Sequence, residues 1–231
     1  MATDSEPTPV VSAAKPGGSA FRRRDLLLLA VFLVAVGALA ALLIHGRPAP
    51  TVLGAASVKT SSYAGYALSS PKPAPPLALK NYLGVPVNIA DYRGKAVLVT
   101  FLYTHCPNVC PIIASKLHTA LLAMPPSERR EVQVIAVSVD PRGDTPASVA
   151  QFLSAHELTA EMQYLLGTSA VLARVWSQWG VGSRRDAGNP ELVAHTALVY
   201  GITGRGQIET IYSSSFAPSD IVRDVPKLAA A

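Results

Sequence analysis

Cysteine is scarce in this chain: Cys106 and Cys110 are the only two among 231 residues. That excludes a multi-disulfide scaffold and a four-cysteine zinc site. Charge is sparse too, at 15% of residues against 49% hydrophobic. The formal net charge of +5 is modest, and Arg22, Arg23 and Arg24 supply part of it just before an apolar run. No basic stripe interleaved with aromatics occurs, so nucleic acid is set aside as a partner. What remains is one close pair of thiols in a single loop. Redox or metal chemistry uses such a pair; two small buried residues without chemistry are the plainer alternative.

The N-terminal third reads as three segments. Residues 1–25, rich in Pro, Ser, Ala and Gly, read as a disordered cytoplasmic tail. Residues 26–44, Leu26 to Ile44, contain no charge and would reach roughly 28 Å as a helix, enough for one transmembrane crossing. The arginine triplet predicts the cytoplasm on its N-terminal side and export of everything beyond. A cleavable signal peptide competes with this reading, but the run is long for one and Ala38-Leu39-Ala40 lies inside it. Residues 45–76 carry repeated prolines and read as a tether. With no Arg/Ser-rich amphipathic presequence, the sequence points to a bacterial inner membrane, with the domain on the periplasmic side. Disulfides can form there.

The folded domain is expected over 77–231. Leu77–Lys80 and Val85–Ile89 suggest two short strands. Ala96–Tyr103 and Val132–Val139 are continuous apolar runs that fit strands buried on both faces. Pro111–Met124 has helical spacing, Asp144-Thr145-Pro146 reads as a helix start, a capping residue followed by Pro at the first helical position, and Thr168-Ser169 opens another helix. His195–Thr203 and Gln207–Tyr212 form a hairpin, and a last helix starts at Ser219 or Asp220. Strands alternating with helices predict a three-layer α/β sandwich.

The segment from Thr104 to Pro111 (Thr-His-Cys-Pro-Asn-Val-Cys-Pro) follows a buried strand and enters a helix. Ligands of open α/β sheets bind beyond the C-terminal strand ends, and a helix N-terminus favours thiolate. Three residues separate the cysteines. On a regular helix that spacing gives Cβ atoms about 5–6 Å apart, wider than the roughly 3.5–4.5 Å of a disulfide. Chelation is therefore easier than a disulfide, which remains accessible if Cys106 stays in the loop. Two thiolates leave most metals incompletely bound, so a third ligand is sought among five histidines. His45 flanks the apolar run, His118 and His156 read as solvated, and His105 should point away from its neighbour. His195 is distant, and a lone distant histidine is ordinarily structural. Asp140 lies near the site or simply precedes Pro141 in a turn.

The run Val99–Pro111 resembles the signature of the Sco/SenC family of copper-binding assembly factors. Ser138-Val-Asp-Pro141 and Asp144-Thr-Pro146 are similar to that family's second block, and His195 falls where its ligand histidine lies. The resemblance covers roughly Leu77 to the C-terminus. It implies a thioredoxin-like fold and a copper site, Cu(I) or Cu(II), of Cys106, Cys110 and His195. It also implies service in assembling the dinuclear copper centre of cytochrome c oxidase. Implied partners are the oxidase subunit carrying that centre, an upstream copper donor and the membrane. Asn108 departs from an acidic residue, and Ala194 and Thr196 replace the usual acidic residue and serine around the histidine. The leading expectation is a membrane-anchored copper metallochaperone. The alternative is a thiol–disulfide oxidoreductase using Cys106 and Cys110 as a redox pair, and a third is a metal-free binding or redox-sensing module.

Overall fold

The computed structural model describes Arg24, Leu27, Leu28 and residues 30–37, 62–189 and 191–231. Residues 30–37 are helical, and among the described residues no helix is long and apolar enough to cross a membrane. The expected span 26–44 lies partly outside the described residues, as do nearly all of the tail and the tether up to residue 61.

Among the described residues ten strands form in chain order: β1 (Tyr66–Pro73), β2 (Ala78–Asn81), β3 (Pro86–Asn88), β4 (Ala96–Leu102), β5 (Val132–Ser138), β6 (Met162–Leu166), β7 (Ser183–Arg185), β8 (Val193–His195), β9 (Leu198–Ile202) and β10 (Gln207–Ser213). Eight make one sheet in the order β1-β10-β9-β4-β5-β6-β2-β3, while β7 and β8 pair separately. The centre β4-β5-β6 is parallel and the flanking pairs are antiparallel. Five helices join them: α1 (Val109–Ala123), α2 (Pro126–Arg130), α3 (Pro146–Ala155), α4 (Ser169–Gln178) and α5 (Pro218–Ala230).

All seven residues of β4 are buried, which requires cover on both sheet faces. Helices α1 and α5 pack together, and α1 presents Cys110, Ile113, Leu117 and Leu121 inward. Beyond α4, Trp179 packs on Phe101 and Tyr200, with centroids 5.8 and 5.4 Å away. The β9–β10 turn depends on Gly206, whose φ of 76° suits glycine. This is the thioredoxin-like mixed α/β arrangement that the resemblance implies.

Two features depart from the sequence reading. The sheet begins at Tyr66, inside the stretch read as tether, because an edge strand tolerates prolines. Pro71 and Pro73 accompany a register irregularity between Ala67 and Lys72. Ahead of β1, the fully buried Asp224 of α5 accepts from Ala64 N–H (2.6 Å), the Tyr212 hydroxyl (2.9 Å) and Lys227 Nζ (3.2 Å). Secondly, the expected strand from His195 to Thr203 is broken. His195 closes β8 and Leu198 opens β9, so the histidine sits on its own small hairpin. The helix start at Asp144-Thr145-Pro146 forms as read: Thr145 caps α3, accepting from Ser148 N–H, Pro146 takes the first turn, and Asp144 turns inward.

Candidate metal centre

The site is assembled where β4 ends. Cys106 N–H donates to the Tyr103 carbonyl at 3.4 Å, turning the chain out of the sheet. Helix α1 then starts at Val109, and Asn108 at its cap offers no side-chain hydrogen bond. The first N–H groups of a helix need acceptors from outside it. Cys110 N–H finds one in Cys106 Sγ, at 3.3 Å. A sulfur thus replaces the usual capping oxygen, and the positive end of the helix favours it as thiolate.

Both cysteines are free and buried, Cys106 at 7% exposure and Cys110 at 0%. A hydrogen bond from the Cys110 thiol holds Cys106 down to about 3, helped by His195 and the helix N–H and opposed by burial. Cys110 moves the opposite way, pushed up by giving that hydrogen bond and by burial. The pair shares one proton, held on Cys110.

His195 reaches the cysteines from the β7–β8 hairpin. Its Nδ1 lies 3.1 Å from the Thr196 carbonyl, an oxygen that can only accept, so Nδ1 carries the proton. In the neutral imidazole, Nε2, 3.4 Å from Cys110 Sγ, then keeps the lone pair that a metal takes. Such an outer partner fixes the tautomer a metal ligand needs. Thr196 preserves a hydroxyl beside the histidine, accepting Gly182 N–H at 3.0 Å and so extending the hairpin. The two sulfurs and an imidazole nitrogen all lie within 4.8 Å of one another. A cavity of about 330 Å³ opens onto Cys106 and His195, lined also by Tyr103, Pro107, Asn108 and Val193.

The remaining sequence candidates fall elsewhere. His105 lies in the turn after β4 rather than at a strand end; it is exposed, with Nδ1 3.1 Å from Thr104 Oγ1, and is not part of the cysteine–histidine group. His45 lies outside the described residues. His118 and His156 are half-buried rather than fully solvated: His118 pairs with Glu157 at 3.0 Å, and His156 meets Ser115 at 3.2 Å and lies tilted against Phe152. They bridge α1 to the end of α3, which is why polar neighbours in sequence misread them. Asp140 is buried and ion-paired with Arg185 of β7, tying the histidine hairpin to the loop after β5.

Two supporting residues escaped the sequence reading. Asp144 accepts four hydrogen bonds, from Thr104 N–H (2.8 Å), Thr104 Oγ1 (2.9 Å), Ser138 Oγ (2.6 Å) and the Tyr164 hydroxyl (3.0 Å). It anchors the start of the cysteine loop to β5 and β6. Tyr103 packs edge-on to His195, with centroids 5.6 Å apart. Asp144 carries a cap-like signal that masks this role, and Tyr103 reads simply as the end of a strand.

The SCO1/SenC family model matches residues 69–230. The mouse mitochondrial SCO2 homolog is 27% identical over 158 residues, 67% of this chain and 61% of that protein. The chain thus spans less than two thirds of that relative's length. Apo Sco1 from Thermus thermophilus is similar in structure, with a TM-score of 0.63 and 31% identity, covering 74% of this chain and 99% of that one. Bradyrhizobium japonicum ScoI with copper bound gives a TM-score of 0.58 at 28% identity, covering 67% and 98%.

Proposed function

The chain belongs to the SCO1/SenC family, and from that membership we propose that it is a copper metallochaperone, holding copper through Cys106, Cys110 and His195. One observation carries the reading: two sulfurs and an imidazole nitrogen, encoded far apart, converge within 4.8 Å. Two thiolates and a neutral imidazole form a soft donor set suited to copper rather than to hard cations. Binding through both sulfurs expels the proton that Cys110 carries, so uptake is coupled to proton release. The cavity over Cys106 and His195 leaves room for an incoming ligand from a recipient. The recipient is the copper-centre subunit of cytochrome c oxidase, loaded in turn from an upstream copper donor.

The chain is held at a bacterial inner membrane by the apolar run from Leu26 to Ile44, with the domain on the periplasmic side. The arginine triplet and the tether support that orientation. Copper titration of the full chain tests the site: one equivalent should bind, and Cys106→Ala, Cys110→Ala and His195→Ala should each lose it. Unchanged affinity and spectrum in His195→Ala would reject the three-ligand site.

A second reading rests on the asymmetry of the thiols. Cys106 thiolate would attack a sulfur of a partner disulfide, releasing the partner's other sulfur as thiolate. Cys110, after losing its proton, would then attack Cys106 and release the second partner thiol, leaving a Cys106–Cys110 disulfide. Fast reduction of an oxidised copper-site peptide by His195→Ala protein would favour this reading.

A further inference from the structure

Val193, two residues before the histidine, raises a backbone question. In the β7–β8 ladder Asp186 N–H donates to the Leu192 carbonyl, and Arg184 faces Ala194. Antiparallel pairs alternate between bonded and unbonded positions. Val193, opposite Arg185, occupies the unbonded phase, and its N–H turns away from β7. Val193 is 6% exposed, and a buried N–H left without an acceptor is costly.

The Tyr103 hydroxyl accepts that N–H, at 3.4 Å. The same ring meets the His195 imidazole edge-on, at 86° between planes. The Tyr103 carbonyl, in turn, accepts the N–H of Cys106. A single side chain and its own backbone therefore touch both halves of the site. Hairpin and cysteine loop come from distant stretches of sequence; farther back the Asp140–Arg185 pair and the Ser183 hydroxyl, donating to the Val139 carbonyl at 3.2 Å, tie the hairpin to the loop after β5.

We propose that Tyr103 is the positioning residue of this site, holding the His195 hairpin at ligand distance from the cysteine loop. The inference rests on the three-ligand reading above. Its hydroxyl sets the height of β8 through Val193, and its ring edge limits the rotation of the imidazole. Loss of the hydroxyl frees the histidine from the sulfurs without removing any ligand.

The test compares full-length wild type, Tyr103→Phe, Tyr103→Leu and His195→Ala loaded with one equivalent of a Cu(II) salt. Three readouts apply: the thiolate-to-copper absorption band, the imidazole nitrogen splitting in electron paramagnetic resonance, and the rate of copper release to a chelator. Tyr103→Phe should keep both thiols titratable, shift the band, weaken the nitrogen splitting and release copper about tenfold faster, the scale typical of an outer partner of a metal ligand. Tyr103→Leu, which also removes the ring, should exceed it. A residue that only filled space would lower the melting temperature and leave the spectra of folded protein unchanged. Tyr103→Phe indistinguishable from wild type in band, splitting and release overturns the inference while leaving the ligand set standing. A His195→Ala spectrum identical to wild type rejects the ligand set itself, whatever Tyr103 does.

Discussion

The sulfur of Cys110 lies 3.4 Å from Nε2 of His195, across 85 residues of chain. Contact at that range, between the least exposed thiol and an imidazole nitrogen, supports the proposed ligand set. Replacing His195 with Ala should weaken copper binding more than about 100-fold, since even outer partners of a ligand carry 10–100-fold. Competition with a chelator of known affinity measures it, and Asn189→Ala on the same hairpin serves as a control expected to bind normally.

The proton shared by the thiols predicts a reactivity profile. Cys106 stays thiolate far below the range of a free cysteine because Cys110 donates to it. Alkylation of Cys106 by iodoacetamide should therefore remain fast at pH 6, where free thiols slow sharply. Cys110→Ala removes the donor, so the midpoint of the Cys106 profile should move upward. His195→Ala should move it in the same direction by less. A midpoint unaffected by Cys110→Ala would show that the helix N-terminus alone sets the thiolate.

Asp144 gives a stability test with a definite sign. Burial raises its folded-state pKa, against the pull of hydrogen bonds from Ser138, Thr104 and Tyr164. A folded state that holds its proton more tightly than the unfolded chain gains stability as pH falls. The gain is complete below the ordinary carboxylate range and is lost as pH rises through the raised value. Urea melts of Asp144→Asn should lack that pH-dependent component. At neutral pH the variant should also be less stable by about 2–4 kcal/mol, because an amide cannot accept from four donors.

Much of this architecture was legible in the sequence. Ala96–Leu102 and Val132–Ser138 form the buried parallel centre that their apolar runs announce. The cysteine block lies where strand meets helix, as its order of residues requires. His195 is different: nothing in its local sequence marks a ligand, because its role comes from a contact spanning 85 residues. Family resemblance identified it. The edge strand Tyr66–Pro73 was hidden by its prolines and by exposure of nearly its whole length. The hairpin strands β7 and β8 have three residues each, too short for any periodicity. The cap of α3 was legible because Pro146 marks the first helical position after Thr145; the inward turn of Asp144 was not, since its partners come from β5 and β6.

Arg185 offers a test of the hairpin from its other end. Its guanidinium, 27% exposed, faces Asp140, which is 3% exposed. Arg185→Met would leave a buried carboxylate without its counter-charge, at a cost of about 3 kcal/mol. Thermal unfolding of the metal-free protein should register that loss. Copper release should also accelerate, because the strand carrying His195 pairs directly with the strand carrying Arg185.

The fastening of Ala64 to Asp224, with β1 lying along β10, has a mechanical consequence. A force pulling on the chain ahead of Ser62 enters through the sheet edge and helix α5. Through the sheet it must cross β10 and β9 before it reaches β4, which bears the cysteine loop, whereas α5 passes it directly to α1, which carries Cys110. Along the sheet, load and chemistry are thus borne by different strands; the helix layer is the direct route by which a pull on that edge reaches a sulfur.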